Sequence, residues 1–386
     1  MPSSEVLRDW AASGAWWLTG RAEGPPRLPP GRAASVVRKS LASLGARVPE
    51  IPQLLSERAA YTGFGRNAPW SCGGAFRILP TKDGWLGISL ARLSDLELVP
   101  ALIEAPVARD AWPAVTTWAA SITAVEAEAR LGLLGLPGGA VPTEAPRDRA
   151  GVVATALGAR RVNQTPLVVD LTSLWAGPLC AQLLGLQGAR VIKVESTQRP
   201  DGARLGPPAF FEMLHAGHEQ VVLDFATEID QLRALIGSAD LVLEASRPRA
   251  MRQLGILAEE AVARGTSWLS ITARGRASDT VGFGDDVAAS AGLVIHESGS
   301  PSPAGDAIAD PLSGVAAAVA ATAALASEDA RLIDVSMQHV AAETLVPSHD
   351  GSAADEDWGD RVVSRDGEWW VDTGHAVVLI ERPRPR

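Results

Sequence analysis

The residues whose types and spacing could do chemistry lie in the second half of the chain. From Leu167 to Glu195 the sequence reads LVVDLTSLWAGPLCAQLLGLQGARVIKVE. A short apolar run, a turn, an apolar stretch stopped by Gly188 and a second run closing on an acid make a β–α–β pattern. That pattern implies parallel strands joined by a right-handed crossover. Such a unit invites a dinucleotide reading, but the turn Leu174-Trp175-Ala176-Gly177-Pro178 carries one glycine where the G-x-G-x-x-G fingerprint needs three. Trp175 would also hold a pyrophosphate away from the backbone, so a nicotinamide cofactor is not expected. Farther on, Gly284-Asp285-Asp286 and Asp310-Pro311 each open an alanine-rich stretch. Locally both read as helix starts: acids favour the positive end of the helix dipole, and Asp before Pro is a cap followed by a first-turn proline. Cysteine is limited to Cys72 and Cys180, and no Cys/His spacing resembles a zinc site. No metal is expected.

Bulk properties set the class. A length of 386 residues favours two domains over one core. An apolar content of 46% with 21% charged residues fits a folded soluble protein. The net charge of -10 argues against nucleic acid as a partner, because phosphate contacts need clustered cations. The lysines are Lys39, Lys82 and Lys193 alone, so nearly all positive charge is arginine. The N-terminus lacks the basic and apolar regions of a signal peptide. The alanine-dominated run from Val315 to Ala326 is shorter than the ~20 residues a membrane span needs. A cytoplasmic protein without membrane contact is expected.

Stepping outward, residues 1–60 are rich in Pro, Arg and Trp with weak periodicity and read as an N-terminal segment or linker. AFRILP and GWLGISL flank an Asp-Gly turn and predict a hairpin. Helical patterns over 94–104 and 111–133 complete a small α+β domain at 61–142. Residues 143–165 read as a linker. Within 166–345, strands are expected at 167–172, 190–195, 221–225, 239–245, 266–273 and 331–336, with helices between them. This is an α/β, doubly wound, mostly parallel pattern. The tail, 346–386, is acidic and then hairpin-like.

The same residues resemble the family III CoA-transferases, a group that includes formyl-CoA and carnitine CoA-transferases and 2-methylacyl-CoA racemases. The family pattern is a strand ending in Asp-Leu-Thr, an Ala-Gly-Pro turn, an apolar helix and a Gly-Ala-x-Val-Ile-Lys-Val-Glu strand. Asp170, Leu171, Thr172, Ala176, Gly177, Pro178, Gly188, Ala189 and Val191–Glu195 fit it. The order continues through PDG (200–202), Arg204, Gly206-Pro207, Leu223-Asp224, ADLVLE (239–244) and IDVS (333–336).

The resemblance implies a Rossmann-like large domain with a smaller α+β domain, and transfer of CoA from an acyl-CoA donor to a carboxylic acid acceptor. It implies that Asp310 is the nucleophile, passing through an aspartyl anhydride and an aspartyl-CoA thioester. Asp286 matches an accompanying acid that would orient substrate or share a proton. Coenzyme A would be a substrate rather than a permanently bound cofactor. It would lie against Leu174, Trp175 and Ala176, with Arg204 and Arg247 near its phosphates. A homodimer is implied.

Departures are also visible. His215, Ala216, His218 and Glu219 stand where the family commonly has a basic run, and Asp285 stands where the racemases have a catalytic histidine. The small-domain motifs at 77–89 and 135–141 precede the large domain, as in a circular permutation. Two alternatives follow: a 2-methylacyl-CoA racemase or epimerase, and a degenerate member that binds acyl-CoA without catalysis.

Overall fold

The structure, a computed structural model, describes residues 3–246, 248–297, 299–345 and 361–386. The chain opens with α1 (Ser4–Ala12), α2 (Ala33–Ser43) and α3 (Glu57–Thr62). The small unit follows as β1 (Phe76–Pro80), β2 (Trp85–Ser89), α4 (Leu93–Ile103), α5 (Trp112–Ala119), α6 (Ala124–Leu134) and β3 (Gly138–Ala140). The large unit runs through β4 (Val152–Ala159), β5 (Leu167–Asp170), α7 (Ala176–Leu186), β6 (Arg190–Ser196), α8 (Pro208–Leu214), β7 (Glu219–Leu223), α9 (Ile229–Ser238) and β8 (Leu241–Glu244). It continues with α10 (Pro248–Gln253), α11 (Ala258–Ala263), β9 (Ser267–Thr272), α12 (Gly284–Ser290), β10 (Val294–Glu297), β11 (Ser300–Pro303), α13 (Ala309–Leu325), β12 (Asp329–Ser336) and α14 (Met337–Glu343). A meander of β13 (Val362–Arg365), β14 (Glu368–Asp372) and β15 (Val377–Leu379) ends it. Among the described residues no helix is long and apolar enough to cross a membrane.

Seven strands form the large sheet in the order β4-β12-β9-β8-β5-β6-β7, all parallel except β4, which runs antiparallel to β12. The expected doubly wound α/β architecture is therefore present. The chain steps from β5 out to β6 and β7, then returns to the other side of β5 with β8. The strand order reverses between β5 and β8, and in sheets of this class ligands usually bind in the crevice left at the carboxyl ends of the strands at such a point. Side chains alternate across the strands. Val168, Leu241, Leu243 and Leu269 join a core with α7 and α13, whereas Val169, Val242 and Trp268 join one with α9 and α11.

The small unit is an antiparallel β1-β2-β3 sheet with its own core of Leu86, Ile88, Val99, Leu102, Val115 and Leu131. The hairpin closes as expected, with the Thr81 N–H donating to Gly84 O at 2.9 Å. The helix expected over 111–133 is two helices. Thr123 breaks it by starting α6 with a capping box, its N–H donating to Glu126 Oε2 at 3.0 Å. Phe76 and Ile78 pack on Ala289 and Val294, which lays this sheet against α12.

Two segments differ from the expectation of linkers. Residues 1–60 belong to the main core: Trp10 and Trp16 are fully buried and pack in one cluster with Leu179, Leu183, Ala317 and Ala321. Their pattern was weak because the helices are short and the anchoring tryptophans are irregularly spaced. Within 143–165, β4 adds an edge strand to the sheet. Its small side chains are mostly exposed, so no alternation marks it as a strand. Of the tail, 346–360 lies outside the described residues. Val362, Val371 and Ile380 of the rest join the main core, and the Glu381 N–H donates to Ala11 O at 2.8 Å.

Helix α13 lies close against α7. A Cβ at Gly314 would sit 2.6 Å from the Ala176 carbonyl oxygen, so only glycine permits this approach. Gly314→Val is expected to lower unfolding free energy by about 1–3 kcal/mol through overpacking, read from chemical denaturation.

Candidate active site

The site begins with two turns held in left-handed backbone. Leu174 has φ 72° and Ala307 has φ 45°, an uncommon state for residues with a Cβ. Leu174 is held by Asp201, whose Oδ1 accepts from the Leu174 N–H at 2.9 Å and from the Ala203 N–H at 2.9 Å. Asp201 is in turn paired with the fully buried Lys193, Nζ to Oδ2 2.8 Å, and Lys193 also donates to the Thr172 carbonyl. The turn before α7 therefore rests on a buried ion pair, placing Leu174, Trp175 and Ala176 at the carboxyl end of β5. Leu174 is partly exposed, whereas Trp175 and Ala176 are buried.

Ala307 belongs to the second turn. Its N–H donates to Asp285 Oδ1 at 2.8 Å, and its carbonyl accepts from the Asp310 N–H at 2.9 Å. Gly284 presses against that carbonyl so closely that a Cβ would lie 2.2 Å from it, and the Gly284 N–H donates to the Asp310 carboxylate. Asp310 is not the cap of its helix: α13 starts at Ala309 after Ile308, with no side-chain cap bond. Its carboxylate is turned instead to the start of α12. Asp286 does cap, accepting from the Phe283 N–H at 3.0 Å and from Ser89 Oγ at 2.7 Å, which ties α12 to β2 of the small unit.

Asp306 and Arg58 complete the cluster. Arg58 on α3 forms a bidentate pair with the fully buried Asp306, Nε–Oδ2 2.9 Å and Nη2–Oδ1 2.5 Å. Its guanidinium also lies 5.9 Å from the Trp175 ring and 5.7 Å from the Phe64 ring. Four aspartates thus gather around one arginine. Burial pushes Asp310 up to about 7, against the pull of Arg58 and helped by Asp285 and Asp306. Burial raises Asp286 to about 7, and burial with the nearby Asp306 raises Asp285 to about 6. The Cys72 thiol is pushed up by burial and by Asp306 and Asp285. Among the described residues no three His, Cys, Asp or Glu side chains are grouped to hold a metal ion.

Of the residues singled out from sequence, Asp310 and Asp286 stand in this cluster, and Trp175 reaches it through Arg58. Leu174 and Arg204 lie at the neighbouring turn, where a Cβ on Gly202 would sit 2.9 Å from Leu174 Cδ2. Arg204 is engaged by Glu195, Nη2–Oε2 2.6 Å, and stacks 3.9 Å from the Phe211 ring centroid. Arg247 lies outside the described residues. The buried His215 and the half-buried His218 lie side by side, Nδ1 to Nδ1 3.3 Å; burial and then Lys193 lower His215 to about 4, so it is neutral near pH 7. Arg58, Asp306 and Ser89 were not found from sequence. Asp306 had a signal, standing one helical turn before Asp310, but Arg58 and Ser89 are distant in the chain and carry no motif.

A mostly parallel sheet whose strand order reverses beside β5, with a carboxylate cluster nearby, places the chain in the doubly wound α/β class. The model of CoA-transferase family III matches residues 166–371, just over half of the chain. The chain belongs to that family. It is 37% identical over 99 residues to a probable fatty acyl-CoA transferase, Rv3272, of Mycobacterium tuberculosis, covering 23% of this chain and 25% of that one. It is 25% identical over 249 residues to a succinyl-CoA–D-citramalate CoA-transferase of Chloroflexus aurantiacus, covering 56% of this chain and 62% of that one. A solved CAIB/BAIF family protein from Brucella suis aligns with a TM-score of 0.44 at 24% identity, covering 49% of this chain and 56% of that one. In each of these matches less than two thirds of the relative is spanned.

The three raised carboxyls bind their protons more tightly in the folded than in the unfolded chain. Between the ordinary value of 3.8 and about 7 the folded state therefore holds more protons, and stability falls as pH rises through that window. Urea denaturation is expected to show this decline levelling off above about pH 7. Asp310→Asn is expected to flatten the slope.

Proposed function

We propose that this protein moves CoA from an acyl-CoA donor to a small carboxylic acid, with Asp310 as the nucleophile. The observation that carries this reading is the state of Asp310. It stands in the first turn of α13, does not cap it, and is held by the Gly284 N–H at the rim of the cluster. A carboxylate in a strongly hydrated setting is a weak nucleophile, and one partly buried among other carboxylates is less damped by water. Relatives matched at 33% identity over 102 residues and 29% over 181 are named an acetyl-CoA:oxalate and a succinate–glutarate CoA-transferase.

In the proposed sequence, a carboxylate oxygen of Asp310 attacks the thioester carbonyl carbon. The C–S bond breaks, CoA leaves as thiolate, and a mixed anhydride remains. The thiolate then attacks the aspartyl carbonyl, releasing the donor acid and leaving an aspartyl-CoA thioester. The acceptor carboxylate repeats these two steps in reverse and departs as its CoA ester, which restores Asp310. Negative charge developing on the carbonyl oxygens would be met by main-chain N–H groups where α12 and α13 begin.

CoA would occupy the crevice between β5 and β8, against the Leu174–Ala176 turn, with Arg204 and Arg247 as the candidate phosphate partners. Arg204 would have to share its guanidinium with Glu195. The position of Asp285 favours transfer over racemisation, since no histidine stands there to exchange the α-proton. A homodimer is part of the proposal, while the aspartate cluster itself draws on a single chain.

Hydroxylamine added after incubation with a panel of acyl-CoA donors is expected to convert Asp310 to its hydroxamate, located by peptide mass spectrometry. Asp310→Ala is expected to abolish the adduct and lower transfer by roughly 10³-fold or more. Undiminished transfer by Asp310→Ala would remove Asp310 from the nucleophile's role.

A further inference from the structure

Arg58 lies ahead of the region the family model matches, on α3 of the N-terminal segment. We propose that Arg58 is a positioning residue of the site: through its bidentate bond to Asp306 it fixes the left-handed turn at Ala307 and supplies the positive charge that keeps Asp310 able to act as a carboxylate. The inference rests on Asp310 being the nucleophile.

The geometry supports both halves. Asp306 immediately precedes Ala307, whose N–H and carbonyl hold Asp285 and the Asp310 backbone respectively. Both oxygens of Asp306 are taken by Arg58, so the turn is clamped from outside as well as by its own hydrogen bonds. The guanidinium is fixed in turn by the Trp175 and Phe64 rings. Placed this way its Nε and Nη2 are committed to Asp306, which holds the guanidinium at the cluster. The action proposed for it is on Asp306 and, through the turn and its charge, on Asp310.

The charges facing Asp310 can be named by element. Asp285 and Asp286 come from α12, Asp306 from the preceding turn and Arg58 from α3, while the Cys72 thiol, from the loop before β1, faces Asp306, Asp285 and Arg58. Helix α7, which packs along α13, carries no charged side chain. On α14, His339 is engaged with Ser336 and Asp148, and Glu343 accepts from the Gly151 N–H. On α2, Arg38 is paired with Glu5 and Asp9, and Lys39 with Glu5. Among the described groups Arg58 is thus the cation of this cluster. Burial works against its charge, but Asp306, Asp285 and Asp310 together hold it protonated.

Opposite substitutions distinguish charge control from a simple structural pair. In ¹³C-aspartate-labelled protein, with the Asp310 signal assigned by its loss in Asp310→Asn, Arg58→Met is expected to raise the titration midpoint of Asp310 by about 1 unit or more. Asp306→Asn is expected to lower it, and the double variant to fall between. Arg58→Lys keeps the charge and is expected to stay near the wild-type midpoint. Should Arg58→Met fail to fold, Asp306→Asn and Arg58→Lys still decide the sign. Midpoints that move in the same direction in Arg58→Met and Asp306→Asn, or an unmoved midpoint in Asp306→Asn, would overturn the proposal. Hydroxamate formation at Asp310 near pH 7 is the parallel readout, expected to drop several-fold in Arg58→Met and recover in Arg58→Lys. Opposed midpoints with no hydroxamate from any acyl-CoA would retain the control of the Asp310 charge by Arg58 but reject the transferase reading, and with it the positioning role. Hydroxamate formation with unopposed midpoints would do the reverse.

Discussion

Four aspartates and one arginine meet where three parts of this chain come together, and the burial of that cluster is the constraint on which the rest depends. Ionised carboxylates crowded in a water-poor space repel one another, and each loses hydration it would keep at the surface. The chain meets this strain in two ways. Asp306 is fully paired to Arg58, and the others retain protons near neutrality or accept hydrogen bonds from Gly284, Phe283, Ala307 and Ser89. The raised carboxyls of Asp310 and Asp286 result from the same balance that holds the seam together.

That balance explains why apparently peripheral segments are built into the core. Arg58 arrives on a helix whose segment is anchored by Trp10 and Trp16, and Ser89 on β2 of a sheet that packs against α12 through Phe76 of β1. Removing either segment would leave buried carboxylates without partners, which is more damaging than losing the same area of apolar contact. The C-terminal meander adds to this by pinning α1. Arg386 reaches Gln182 and Glu57, the neighbour of Arg58, so the last residue of the described chain lies against the helix that carries the cation.

The turn before α7 obeys a similar logic at the other side of the site. Lys193 and Asp201 are both fully or nearly fully buried, and their ion pair holds Leu174 in a backbone state that a leucine rarely adopts. His215 and His218 lie against this pair as neutral rings, since burial and the Lys193 charge both oppose their protonation. These histidines therefore belong to the support of the turn rather than to a cationic surface for phosphate.

Much of the large unit was legible because its physics is local. Continuous apolar runs bounded by turns mark parallel strands buried on both faces, and β5, β6, β8, β9 and β12 all appear where such runs stand. The hairpin of β1 and β2 was equally plain from its Asp-Gly turn. Asp310 and Asp286 could be singled out from their neighbours in sequence, as could the turn from Leu174 to Ala176. The edge strand β4 and the N-terminal helices could not, since exposed small residues and isolated tryptophans leave no period to read. Nor could sequence reveal that Asp310 leaves its own helix uncapped while Asp286 caps α12, because that depends on the approach of Gly284 to the Ala307 carbonyl. The pairing of Arg58 with Asp306 spans most of the chain and leaves no mark on either residue's neighbours. Sequence alone determined the sheet, the family and the acidic residues; only tertiary packing decided which charges would share a buried space, because electrostatic strain is a property of distance in the fold.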